Sequence, residues 1–208
     1  MKPLLLRLFT AVALVALTTG CGGAGGSAGH QEEKRNVSRK SLQEAAEHAD
    51  AIILDSVSSV RPALNWVHGA STDIGCGDYT IDGKKTGSVT RRAEVMTIVS
   101  EARRGSLLGL VERHWKGRGY TITSVDASRE LPAIYARTPD DFRMSVAVGA
   151  GGRFQFSVTT PCFLASDVQR PKTPAPGTPF EGPVVPDPSV RSSFWSVETS
   201  VPSGSSTP

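Results

Sequence analysis

The sequence predicts an α+β domain: a two-layer sandwich with two amphipathic helices on one face of an antiparallel sheet of about five strands, closed by one disulfide. Three observations predict it. Apolar residues recur at helical spacing in two separate stretches. Four runs after Gly119 carry the two-residue rhythm of strands. Two cysteines, Cys76 and Cys162, bracket most of that region.

The first helix opens at Ser41. Ser41-Leu42-Gln43-Glu44 has the spacing of a capping box, with Ser at the N-cap and Glu three residues on. Leu42, Ala45, Ala46, Ala49, Ile52, Ile53, Val57 and Val60 then form one apolar stripe. Pro62 ends or kinks that helix. Leu64, Trp66 and Val67 are expected to continue the apolar contact in irregular chain. Gly69, Gly75, Gly77, Asp82-Gly83 and Gly87 read as a long loop over 69–87, with a short strand at Tyr79 to Ile81. Ser88 to Ile98 alternates, Val89, Ala93 and Val95 against Arg92 and Glu94, and reads as a strand.

Leu107, Leu108, Leu110, Val111 and Trp115 predict a second helix over 102–116, stopped by Gly117 and Gly119. Strands follow at Tyr120 to Val125 and Ala133 to Arg137. Phe142, Met144, Val146 and Val148 alternate strictly, as do Phe154, Phe156 and Val158, and Gly149-Ala150-Gly151-Gly152 joins the two as a hairpin. Thr160-Pro161-Cys162 ends the last strand, because proline cannot donate to the ladder.

The two ends of the chain read differently. Lys2 and Arg7 precede Leu8 to Leu17, an apolar run of ten, and Gly20-Cys21 follows. Ten residues suit a signal peptide and are too few to cross a bilayer. A small residue before a lone cysteine resembles the bacterial lipobox, with Thr18 where that motif usually has Leu. The resemblance implies removal of 1–20 and a diacylglycerol thioether with palmitate-type acyl chains on Cys21. Each buried CH₂ of those chains contributes about 0.8 kcal/mol to anchoring. Residues 21–37 are rich in Gly, Ser and charge and read as a flexible tether below a domain at 38–166. Residues 167–208, with PKTPAPGTPFEGPVVPDPS, read as a disordered Pro-rich tail; Phe194 and Trp195 are unusual there and are candidates for docking on the domain or on a partner.

The chain carries 23 basic and 20 acidic residues. Loss of Lys2 and Arg7 leaves 21 against 20, a near-neutral balance that argues against a nucleic-acid binder. With Cys21 acylated, Cys76 and Cys162 remain; in an oxidising compartment they predict a disulfide, the alternative being two buried free thiols.

Chemistry-bearing constellations are sparse. His68, Asp73, Cys76 and Asp78 lie close together, but zinc would need Cys76 as a thiolate. His114 falls on the second helix, no serine sits in a G-x-S-x-G elbow, and no helix follows the 149–152 glycines to make a phosphate cradle. Asp140-Asp141 after Pro139 reads as a turn. No catalytic residue, metal or cofactor is expected. The strongest lead is basic: Lys84, Lys85, Arg91, Arg92, Arg103, Arg104, Arg113, Lys116 and Arg118 oppose only Glu94, Glu101 and Glu112 in the same stretch. From these, Arg91, Arg92, Arg103 and Arg104 are the candidate contacts for an anionic partner, although alternation sets Arg91 and Arg92 on opposite strand faces.

Taken together, the Cys21 motif, the first helix with Pro62, Trp66, Cys76, Thr86-Gly87-Ser88-Val89-Thr90-Arg91, the Leu107–Trp115 helix, Gly119-Tyr120 and the hairpin ending Thr160-Pro161-Cys162 resemble a family. It is that of the small secreted lipoproteins of actinobacteria, Streptomyces-like and of unassigned function. The resemblance covers about residues 38–165 and implies a lipid-anchored protein on the outer face of the plasma membrane, with no catalytic residues to transfer. The expected function is a non-enzymatic binding or interaction module at the cell envelope, its partner an envelope protein or an anionic polymer. A small apolar ligand held between helices and sheet is the second expectation, and an envelope hydrolase the third.

Overall fold

The computed structural model describes residues 40–180 and 184–198; the signal segment, the tether and Cys21 lie outside them. The domain has two α-helices and eight β-strands. α1 spans Leu42–Ser58, and its capping box forms as the sequence implies: Glu44 N donates to Ser41 Oγ at 3.2 Å, and Ser41 N donates to Glu44 Oε2 at 2.7 Å. The box satisfies two backbone donors that the first turn would otherwise leave open. Its buried stripe of Leu42, Ala45, Ala46, Ala49, Ile52, Ile53 and Val57 faces the sheet, where each large aliphatic chain contributes about 1.5–3 kcal/mol.

The strands are β1 (Trp66–His68), β2 (Thr72–Ile81), β3 (Lys84–Val95), β4 (Thr121–Asp126), β5 (Ala133–Arg137), β6 (Arg143–Val148), β7 (Phe154–Thr159) and β8 (Phe163–Leu164). α2 (Glu101–Gly117) lies between β3 and β4 in the chain. All pairings between strands are antiparallel, in the order β1-β3-β7-β6-β5-β4, with β2 and β8 on the first half of β3. The long strand β3 is the spine: β1 and β2 share one of its edges, β7 and β8 the other. α1 packs on β3 and β7, and α2 on β4 and β5, so both helices lie on one layer. Phe142, Phe154, Phe156, Ile53, Leu107 and Trp115 fill the space between layers, each under 2% exposed.

The α+β architecture, both helices and the disulfide agree with the sequence reading; the number of strands does not. The expected five are eight. Trp66 and Val67 sit in β1 rather than irregular chain, paired with Val95 and Glu94. The expected loop over 69–87 is mostly the hairpin of β2 and β3, turning at Asp82-Gly83, where both residues have positive φ (52° and 72°), as a tight two-residue turn requires. β2 escaped a reading by alternation because almost every residue in it is exposed. Its strand state comes from pairing with β3 and from the Cys76–Cys162 disulfide, which spans 86 residues of sequence. Nor does the chain leave the sheet at Pro161: after Cys162 it returns to β3 as β8, with Phe163 opposite Gly87 and Leu164 opposite Thr86.

The largest correction concerns residues 167–208. Instead of a disordered tail, its described part (167–180 and 184–198) is a strap bound to the domain. Gln169 N donates to Gln43 Oε1 at 2.7 Å. Gly177 N donates to Trp66 O at 2.9 Å, and a Cβ at 177 would come within 2.5 Å of Val67, so only glycine approaches β1 so closely. Val190 bridges Thr97, with Val190 N donating to Met96 O at 2.9 Å, and Ser100 N donates to Trp195 O at 2.9 Å. Trp195 is wholly buried. Proline-rich chain cannot form ladders, but isolated backbone donors and a large aromatic can still tie it to a preformed surface.

Candidate functional site

The four candidate arginines do not form one patch. Arg91 lies on the helix-facing side of β3, 1% exposed, with Nε 3.3 Å from Asp50 Oδ1 on α1. Its Nη1 donates to Ser71 Oγ at 2.9 Å and its Nη2 to the strap carbonyl of Gln169 at 2.6 Å. Burial pushes the Asp50 carboxyl up to about 6, against the pull of the Arg91 guanidinium, and burial also lowers Arg91, against the pull of Asp50. Arg91 is therefore a core residue that no outside partner can reach, which corrects its place among the contacts.

Arg92 faces the other way and donates to Ala70 O at 2.8 Å. Arg103 and Arg104 are on α2. The Arg103 guanidinium lies 4.4 Å over the Phe194 ring of the strap, and Arg104 Nη1 donates to Glu130 O at 2.7 Å. Beside Phe194 a shallow groove of about 370 Å³ opens on the outer side of α2, lined by Arg61, Ser106, Gly109, Leu110, Arg113 and Phe194 among others.

The histidines have structural partners. His114 Nε2 meets Asp55 Oδ2 at 2.8 Å, and Arg118 Nε meets the same oxygen at 3.1 Å, so one carboxylate of α1 gathers two groups from α2 and its C-terminal end. His68 Nε2 lies 2.7 Å from the strap carbonyl of Thr173. Among the described residues, no three His, Cys, Asp or Glu side chains gather as a metal site, and no helix is long and apolar enough to cross a membrane.

The sheet has a second face that the helices do not cover, with the strap and residues 69–70 packed on its third row, and the register orders it into rows. Side chains directly opposite across antiparallel strands share a face, with strands about 4.8 Å apart. The first row runs Thr121, Arg137, Arg143, Thr159, Thr90 and Thr72, across six strands. The second runs Ser124, Tyr135, Ser145, Ser157 and Arg92. The third runs Asp126, Ala133, Ala147, Gln155, Glu94 and Val67. Cations thus occupy the first two rows, and the acids at paired positions occupy the third.

The details sharpen this asymmetry. Glu94 is buried and accepts from Gln155 Nε2 at 2.7 Å; burial raises its carboxyl pKa, opposed by that hydrogen bond and by Arg92. Arg137 has an exposed ion pair with Asp141 at 3.3 Å, whereas Arg143 has no ion pair among the described residues. The Thr90 and Thr159 hydroxyls meet at 2.9 Å. The polar alternates of the two strict strands, Arg143, Ser145, Gln155, Ser157 and Thr159, were the signal for this face in the sequence. Their assembly with Arg92, Arg137 and Tyr135 depends on register, which the sequence does not display.

Neither a family model nor a curated protein matches the chain. Among solved structures it is similar to a DUF4853-family protein from Actinomyces odontolyticus, at 10% identity and a TM-score of 0.38, over 66% of this chain and 73% of that one. A likeness of that size assigns the chain neither a family nor an activity.

Proposed function

We propose that this protein is a bacterial lipoprotein held by acyl chains on Cys21 at the outer face of the plasma membrane, and that its domain is a non-enzymatic binding module for anionic envelope material. The supporting observation is the sheet face turned away from the helices, where Arg92, Arg137 and Arg143 stand among hydroxyl side chains. The address is supported by the Leu8–Leu17 run before Gly20-Cys21, and by a disulfide suited to an oxidising compartment. Of the arginines expected from sequence, Arg92 belongs to this surface; Arg103 and Arg104 belong to a separate cationic side on α2.

Two experiments test the reading. Expression of the full chain with labelled palmitate should label the wild type and not Cys21→Ser, which should appear in the medium. Absence of label from the wild type would overturn the anchor. Separately, the secreted Cys21→Ser chain should cosediment with isolated envelopes at low salt and be released as salt rises, because exposed charges are screened over about 10 Å at 0.1 M. Failure to cosediment at low salt would overturn the binding role.

A further inference from the structure

We propose that the sheet face turned away from the helices binds a linear hydroxylated polyanion, a polyol-phosphate or polyuronate chain, laid across the strands along the first two rows. This rests on the binding role above and names its ligand class.

The argument begins with Arg137 and Arg143. They are direct cross-strand partners on β5 and β6. Like charges in that position repel and cost stability unless something neutral or anionic intervenes. Asp141 partly offsets Arg137, as a half-exposed pair in high dielectric, and Arg143 has no ion pair among the described residues. Two guanidiniums on neighbouring strands can clamp one phosphate or carboxylate, or two successive ones, through paired N–H donors.

The rest of the two rows suits the chain between the charges. Arg92 closes the second row three strands from Tyr135, a span of roughly 14 Å at ordinary strand spacing. Between them lie the Ser145 and Ser157 hydroxyls, and beside them in the first row Thr159 and Thr90. A run of hydroxyls can both donate to and accept from the hydroxyls of a sugar or polyol. Tyr135, 43% exposed, offers a ring face at the end of the second row.

The third row argues against a lipid surface as the ligand. Asp126 is exposed on the same face, and a bilayer laid flat on that face would meet its carboxylate together with the arginines, while Glu94 in the same row is buried. A linear chain can follow the first two rows and leave the third alone. The strap points the same way, since Gly177 packs against Val67 in the third row.

The test uses the secreted Cys21→Ser chain and calorimetric titration with three probes: a linear polyglycerol phosphate, polygalacturonate and neutral dextran. Vesicles of equal parts phosphatidylglycerol and phosphatidylcholine form a fourth arm. Binding to at least one of the two polyanions, none to dextran and weaker binding to vesicles is expected. Arg137→Gln with Arg143→Gln should weaken polyanion binding about tenfold or more, the scale of losing charge-assisted hydrogen bonds. Arg103→Gln with Arg104→Gln should leave it unchanged; all four substitutions are on exposed or half-exposed side chains, and unchanged circular dichroism checks the fold. Envelope binding without affinity for either polyanion would overturn this inference and leave the binding role standing. Tighter binding to vesicles than to the polymers, or equal losses from the Arg103/Arg104 variant, would overturn it as well. Absence of binding to envelopes and polymers alike would overturn both.

Discussion

The indole of Trp195 donates from Nε1 to the carbonyl of Pro62 at 2.8 Å, joining residues 133 positions apart at the end of α1. The ring has no exposed surface, and Phe194 packs edge-on against it at 4.8 Å. A proline-rich stretch thereby becomes part of the core, and its removal should be felt as a core mutation.

Trp195→Ala is therefore expected to cost about 3–5 kcal/mol, as large-to-small changes of buried aromatics do. Urea unfolding followed by fluorescence measures it. An unchanged midpoint would show the strap to be an appendage. The same variant should raise hydrogen exchange at Ser100 N, whose acceptor is Trp195 O.

The Asp50–Arg91 pair predicts an asymmetry. Asp50→Ala leaves a buried guanidinium that cannot shed its proton, at a cost of about 3–5 kcal/mol. Arg91→Met leaves a carboxyl that can take up a proton and become neutral, so it should cost less. Thermal melts at neutral pH rank the two variants, and the reverse order would refute the argument.

The same carboxyl gives a pH dependence. Its value rises from 3.8 to about 6 on folding, so the folded state holds the proton more tightly. The contribution is complete below 3.8 and is lost as pH rises through about 6, on the order of 2–3 kcal/mol. Asp50→Asn cannot titrate at this position. The stability difference, wild type minus Asp50→Asn, should therefore fall as pH is raised from about 4 to about 7. A difference independent of pH would mean that the carboxyl is not raised.

Reduction of Cys76–Cys162, or Cys76→Ser with Cys162→Ser, frees a loop of 86 residues, worth roughly 4–5 kcal/mol in the chain-entropy model. The loss should be uneven. Amides of β2, held to one neighbour along an exposed edge, should exchange faster before those of β6 and β7 do. Uniform acceleration would contradict this.

Ser56 links the two helices. Trp115 Nε1 donates to Ser56 Oγ at 2.8 Å, and Ser56 Oγ donates to Ile52 O at 2.7 Å. Ser56→Ala strands a buried indole N–H and should cost about 1–3 kcal/mol in chemical denaturation. A neutral result would mean that the indole finds another acceptor.

The sequence carried the parts of this fold whose signals are local. Ser41 and Glu44 marked the start of α1 because a capping box is made within four residues. The alternation of Phe142–Val148 and Phe154–Val158 marked β6 and β7 because each strand has one buried face. β2 has no buried face and so no alternation, and Trp66–His68 is too short to show a period. The candidate site was half legible: the polar alternates were in view, but a row such as Arg137, Arg143, Thr159 and Thr90 exists only once four strands are paired in register.

By itself, then, the sequence determined the two helices, the strict strands and the α+β class, because these follow from contacts near in the chain and from periodicity against a single buried face. Tertiary structure alone decided that Arg91 turns inward to Asp50, that residues 167–180 and 184–198 strap the domain, and that three arginines from three strands share one face. Those outcomes rest on partners tens of residues away. Whether a charged or proline-rich segment is buried depends on which partner meets it, and composition does not record the meeting.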